Sequence, residues 1–276
     1  MRPRHSTIGV WSAAIATLAT LVACDNKPKT AAPAGPDIQA REVAYTVGAT
    51  PLTGFVAWDA SRTGPRPGVI VVHEWWGHNA HVRNQTRRLA ESGYVGFALD
   101  MYGNGRSTTH PDSAQSFMMT ALGDQAAMQA RFAAALAQLK ADPHVDSTRI
   151  AAIGYCFGGL VVLSQARAGA PLAAVASFHG AIPQAAPIAS GAVKARVLIM
   201  TGSADPMVPP AQVDSFATAM RAAGADVQVI TYPGARHGFS NPRADSAGMA
   251  GLKYDSEADR QSWASLLKLL GEVFPS

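Results

Sequence analysis

From Arg41 onward, short β-branched runs alternate with longer stretches of helical periodicity, and that alternation restricts the chain to a wound α/β sheet. Strands are expected at Glu42 to Val47, Leu52 to Trp58, Gly68 to His73, Val95 to Leu99, Ile150 to Ile153, Ala173 to Phe178, Ala195 to Thr201 and Val227 to Tyr232. The first two carry polar residues at alternate positions and read as an antiparallel edge pair. The later runs are apolar throughout, as parallel strands covered on both faces must be. Helices are expected at His81 to Glu91, Asp124 to Ala141, Gly158 to Ala168, Ala211 to Ala223 and Asp255 to Gly271. The Ala-rich stretch from Gln125 to Leu139 forms helix readily and packs one face on the sheet. With 276 residues, 48% of them hydrophobic, the chain can build one substantial core. Connections are short, no long insertion follows Phe178 and no repeat is visible, so residues 41–276 are expected to form one domain without a large lid.

Ahead of that domain, Arg2 and Arg4 precede an apolar stretch from about Ile8 to Val22, too short to span a bilayer comfortably. It ends in Leu21-Val22-Ala23-Cys24, which resembles the lipobox of bacterial lipoproteins. Residues 1–23 then form a cleaved signal, Cys24 carries lipid, and 24–40 serve as a flexible tether rich in Ala, Pro and Lys. An ordinary secretory signal with an incidental Cys, or a signal anchor left uncut, is the alternative. The expected location is the periplasm, with the membrane reached only through the anchor. Lipidation of Cys24 leaves Cys156 as the one thiol of the body, with no internal disulfide.

The chain carries 23 Lys and Arg against 19 Asp and Glu; without Arg2 and Arg4 the balance is 21 to 19, close to neutral. No run of basic residues interleaved with aromatics occurs, which sets nucleic acid binding aside.

The sharpest chemical signal is Gly154-Tyr155-Cys156-Phe157-Gly158-Gly159, lying between an apolar strand and an apolar helix. It has the layout of a nucleophile elbow with Cys in place of Ser. A tight strand-to-helix turn crowds its backbone, so small residues are required two before and two after the nucleophile, where Gly154 and Gly158 stand. The helix start supplies a dipole and free N–H groups that favour a thiolate and can hold an oxyanion. A glycine-rich turn with an incidentally buried Cys is the alternative. Two later loops weigh against it. Leu198-Ile199-Met200-Thr201-Gly202-Ser203-Ala204-Asp205 and Val229-Ile230-Thr231-Tyr232-Pro233-Gly234-Ala235-Arg236-His237 are strands running into turns that end in an acid and an imidazole. They follow the nucleophile in the order this elbow requires.

With these motifs the sequence resembles the dienelactone hydrolase family, and Val71-Val72-His73-Glu74-Trp75-Trp76-Gly77 and Ala98-Leu99-Asp100-Met101-Tyr102-Gly103 add to the likeness. The resemblance implies an α/β-hydrolase fold and a Cys156–His237–Asp205 triad. It also implies that Glu74 contacts the resting thiol and that the Trp75 and Phe157 amides form the oxyanion hole. A small-molecule ester or lactone is the implied partner, with no cofactor, and the chain is expected to act as a monomer. Tyr102 is a candidate substrate contact. Dienelactone-cleaving members hold a substrate carboxylate with two arginines; Asn104 and Asn241 stand at those positions here, with Arg106 and Arg243 two residues further on. A shifted Arg presents its fork differently, so the chemistry transfers better than the substrate.

His73, His78 and His81 lack the spacing of a helical zinc motif, and no metal site is expected. Gly103-Asn104-Gly105 lacks the third glycine of a dinucleotide fingerprint. A rival function remains open at this level: a lipoprotein that binds in the cleft or senses redox state through its lone thiol, without hydrolysis.

Overall fold

The computed structural model describes residues 35–183 and 187–275, together with positions 1, 3, 5 and 8–10. Most of the expected signal, the expected lipidation site Cys24 and most of the expected tether lie outside the described residues. Among the described residues no helix is long and apolar enough to cross a membrane.

The chain opens with the hairpin β1 (Ile38–Val47) and β2 (Thr50–Asp59), and then winds through β3 (Arg66–Val72), α1 (Ala80–Glu91), β4 (Val95–Leu99), α2 (Pro111–Gly123), α3 (Gln125–Ala141) and β5 (Val145–Tyr155). It continues with α4 (Phe157–Arg167), β6 (Ala174–Phe178), β7 (Arg196–Gly202), α5 (Pro210–Ala222), β8 (Val227–Tyr232), a 3₁₀ turn at Ala244–Ala247 and α6 (Ser256–Val273). The strands form one sheet in the order β1-β2-β4-β3-β5-β6-β7-β8. β1 and β2 pair antiparallel, β2 joins β4 antiparallel, and the six remaining strands run parallel.

Strand pleating divides the core in two. Along β3, Val69 and Val71 join a cluster with Val82 and Leu89 of α1 and Leu266 and Leu270 of α6. Ile70 and Val72 join the opposite cluster with Phe132 and Leu139 of α3, Val161 and Val162 of α4 and Phe216 of α5. Successive side chains of a strand point to opposite faces, so the continuous apolar run of β3 supplies both layers. All seven of its residues are buried, and each full burial of a Val or Ile side chain stabilises the fold by roughly 1.5–3 kcal/mol.

All eight expected strands are present, and all five expected helices. Two boundaries need correction. The tether was expected to run through residue 40, yet Ile38, Gln39 and Ala40 pair with Asp59, Trp58 and Ala57. Their side chains are largely exposed on an edge strand, so no apolar pattern marks them. β5 begins five residues before the expected Ile150, because Val145 and Asp146 pair with Arg66 and Pro67 across an irregularity before Gly68. Helix α2 was not expected at all, although Pro111 at its start and apolar residues at 114, 117, 118, 121 and 122 carried the signal.

Candidate active site

The parallel strands end in register along one rim: Val72 pairs with Leu99 and Gly154, Tyr155 with Phe178, Phe178 with Met200, and Gly202 with Tyr232. The loops leaving these ends carry Glu74, Cys156, His179, Asp205 and His237, as expected for ligands and chemistry in open α/β sheets.

Cys156 sits between β5 and α4 with φ 54° and ψ −114°, a backbone conformation that costs about 1–3 kcal/mol in a non-glycine residue. The surroundings hold it there: its N–H donates to Phe178 O at 3.0 Å, and its carbonyl accepts from Gly159 N at 3.0 Å and Ala181 N at 3.2 Å. Crowding enforces the flanking glycines. A Cβ on Gly154 would collide with the Gly158 carbonyl, and one on Gly158 with the Val72 carbonyl. The side chain of Cys156 is half-buried, and the thiol is free.

His237 and Asp205 are joined by Nδ1···Oδ2 at 2.9 Å, with both side chains buried. The second Asp205 oxygen accepts from Met207 N at 2.8 Å and Val208 N at 3.1 Å, so the carboxylate is fixed in orientation before it meets the imidazole. Burial pushes the His237 pKa down, but the Cys156 thiolate and Asp205 outweigh it and raise the imidazole to about 10. Among the described residues Nε2 of His237 has no well-directed hydrogen-bond partner. The Cys156 side chain nonetheless acts on the ring, and both its charge and its hydrogen bonding raise the imidazole pKa.

Glu74 is buried, and its Oε2 accepts from Asn241 Nδ2 at 2.7 Å. Burial lifts its pKa to about 7, opposed by the Asn241 bond and by the nearby His237. Among the described residues no hydrogen bond joins Glu74 to the thiol, so the contact implied by the resemblance is replaced in this conformation by Asn241. The Trp75 and Phe157 amides have no acceptor among the described residues; Phe157 opens α4, where the first N–H groups have no intrahelical partner.

Tyr102 packs edge-on against His73 at 4.7 Å and stacks on Phe157 at 5.6 Å, and its hydroxyl donates to Trp75 O at 3.1 Å. Burial and the Cys156 charge both push the phenol pKa up. The four candidate carboxylate contacts are placed differently from one another. Asn104 is exposed in a left-handed turn (φ 57°), and Arg106 donates to Tyr102 O at 2.7 Å while covering Phe117 at 4.9 Å. Asn241 is engaged with Glu74, and Arg243 borders a pocket of about 360 Å³ that it shares with Trp76, His81 and Asn241.

The expected acid, base and thiol thus meet on one rim, with a shape-fixed elbow, and a model of the dienelactone hydrolase family matches residues 52–274. The chain belongs to the dienelactone hydrolase family. Like its family, it is a carboxylic ester hydrolase. A carboxymethylenebutenolidase-type protein of Yersinia pestis is 26% identical over 78% of this chain and 82% of its own. A solved dienelactone hydrolase-like promiscuous phosphotriesterase from metagenomic libraries is 40% identical, covering 86% of this chain and 99% of that one, with a TM-score of 0.82. A dienelactone hydrolase structure from Klebsiella pneumoniae, 23% identical with a TM-score of 0.72, shares the fold over 86% of this chain and 99% of its own.

Membership leaves two features unexplained that the sequence also hid. His179 has φ 39°, packs edge-on against His237 at 5.2 Å, and bonds Ser240 Oγ at 2.8 Å. Nothing in its sequence context marks a strained backbone. The Asn241–Glu74 bond joins residues 167 apart in sequence and is visible only once the sheet rim is assembled. The three histidines weighed as ligands part ways: His73 meets Glu74 O, His78 meets Ala98 O at 3.3 Å, and His81 packs against Tyr155.

Proposed function

We propose that Cys156 is the nucleophile of this hydrolase and that the reaction passes through a thioester on its sulfur. The single observation that carries this reading is the half-buried thiol beside an imidazole whose pKa its thiolate raises, with Asp205 fixing the far side of the ring. The thiolate attacks the carbonyl carbon, and the oxyanion rests on the Trp75 and Phe157 amides. Collapse breaks the bond to the leaving oxygen, which takes a proton from the His237 imidazolium. His237 then removes a proton from water, and the resulting hydroxide cleaves the thioester and releases the thiolate.

Sulfur constrains the substrate. A thiol with the usual pKa of about 8.5 leaves a tetrahedral intermediate more easily than an alkoxide does. Attack on an alkyl ester therefore tends to reverse, while enol esters, enol lactones and aryl esters go forward. The full chain and Cys156→Ala, assayed on matched aryl and alkyl acetates and on enol lactones, test both points. Activity confined to the wild-type chain and faster on the aryl and enol members is expected; hydrolysis retained by Cys156→Ala rejects the nucleophile. A phosphotriester belongs in the same panel, because the solved relative at 40% identity is described as a phosphotriesterase.

The leader supports a location as well. The Leu21-Val22-Ala23-Cys24 stretch supports cleavage before Cys24 with lipidation of its sulfur, and with it a location at a periplasmic membrane surface. Metabolic labelling with a fatty acid probe, lost in Cys24→Ser, is the test.

A further inference from the structure

One fully buried imidazole stands behind the oxyanion hole without touching the triad. His73 accepts a hydrogen bond at Nε2 from Met101 N at 3.2 Å. A backbone amide is only a donor, so the ring proton must sit on Nδ1. Nδ1 therefore donates to Glu74 O, at 2.6 Å. The same carbonyl accepts from Gly77 N at 3.1 Å, so two donors grip it.

The Glu74 carbonyl and the Trp75 N–H belong to one planar peptide unit and point in opposite directions. Holding the oxygen sets the direction of the N–H. Meanwhile the His73 ring lies 6.0 Å from the ring of Phe157, and the His73 carbonyl abuts Gly158 in the first turn of α4. The residue thus also neighbours Phe157 and the first turn of α4. Burial holds its pKa down at about 4, which keeps Nε2 free to accept from Met101.

We propose that His73 is a positioning residue that aims the Trp75 amide at the developing oxyanion, clamping the Glu74–Trp75 peptide through its Nδ1 proton. The proposal rests on the acyl-enzyme reading above. It assigns a role in catalysis to a side chain that meets neither the substrate nor the triad.

Two substitutions separate the two ring nitrogens. The amide of His73→Asn falls near Nδ1 and can still donate to Glu74 O; that of His73→Gln falls near Nε2, keeping an acceptor for Met101 N and losing the clamp. Full-length variants are assayed for p-nitrophenyl acetate hydrolysis and for iodoacetamide alkylation of Cys156, a displacement at saturated carbon that forms no oxyanion. His73→Gln is expected to lose about 30-fold or more in kcat, since removal of one oxyanion donor costs ~10²–10³. Its KM is expected to stay within about 3-fold, and His73→Asn within about 5-fold of wild-type kcat. Both should alkylate at near wild-type rates.

A kcat for His73→Gln equal to or above that of His73→Asn overturns the clamp, as does an alkylation rate that falls in step with kcat. Cys156→Ala in the same assays keeps the two readings apart. If that variant still hydrolyses ester, the nucleophile reading fails and the clamp falls with it; if it is inactive while His73→Gln is unimpaired, only the clamp fails.

Discussion

Asn241 Nδ2 donates to Glu74 Oε2 at 2.7 Å, a buried bond that ties the loop after β8 to the loop after β3 beside the His237 imidazole. Asn241 thus holds a buried carboxyl group. Replacing it with Ala leaves Glu74 without that partner, and the penalty should depend on the carboxyl's charge. Urea unfolding is expected to register a loss of about 1–3 kcal/mol at pH 8, where Glu74 is ionised, and a smaller loss at pH 5. Equal losses at the two pH values would contradict this account.

Glu74 itself should leave a signature in the pH dependence of stability. Burial places its native pKa at about 7, above the ordinary 4.5. The folded state therefore binds the proton more tightly than the unfolded chain. The corresponding stability is fully present below about pH 4.5 and is lost as pH rises through 7. Glu74→Gln should remove roughly 1–3 kcal/mol of the decline in unfolding free energy between pH 5 and 8. An unchanged slope in chemical denaturation across that range would mean that the carboxyl does not titrate as described.

His237 carries the same sign in a higher window. Its pKa of about 10, against the ordinary 6.5, contributes stability that is fully present below 6.5 and lost as pH rises through 10. The thiolate is the first of the groups that raise it, so Cys156→Ala should return the imidazole toward its ordinary range. NMR titration of the His237 ring checks this directly. A ring that titrates alike in both proteins would place the sulfur out of electrostatic reach.

The elbow has no room for side chains at its flanks. A Cβ on Gly158 meets the Val72 and His73 carbonyls, which are backbone atoms of the central strand and its extension. Gly158→Ala is expected to destabilise the fold by about 3 kcal/mol or more, beyond the usual range for a surface substitution. Thermal unfolding of the variant measures it, and a Tm within a degree or two of wild type, about what a negligible change gives, would refute the crowding.

What could be read from the sequence divides along physical lines. The parallel strands announced themselves because burial on both faces demands unbroken apolar runs such as Val69-Ile70-Val71-Val72. The proposed triad residues were legible because each stands on the loop that leaves such a run. Helix α2 carried a helical pattern that was overlooked. The edge residues Ile38 to Ala40 carried none, since an exposed edge strand has little apolar demand. Relationships across the rim were beyond reach: the Nδ1 proton of His73, the strained φ of His179 and the partner of Glu74 all depend on which loops the sheet brings together.

In the proposed reaction the acyl group is carried by the Cys156 sulfur. Rapid quenching of the full chain with p-nitrophenyl acetate in acid, followed by peptide mass spectrometry, reads that bond directly. One acetyl group is predicted on the peptide containing Cys156, labile to hydroxylamine at neutral pH and lost in Cys156→Ala. An acetyl group on any other residue, or turnover with no acyl-enzyme in the wild type and undiminished hydrolysis by Cys156→Ala, would contradict it.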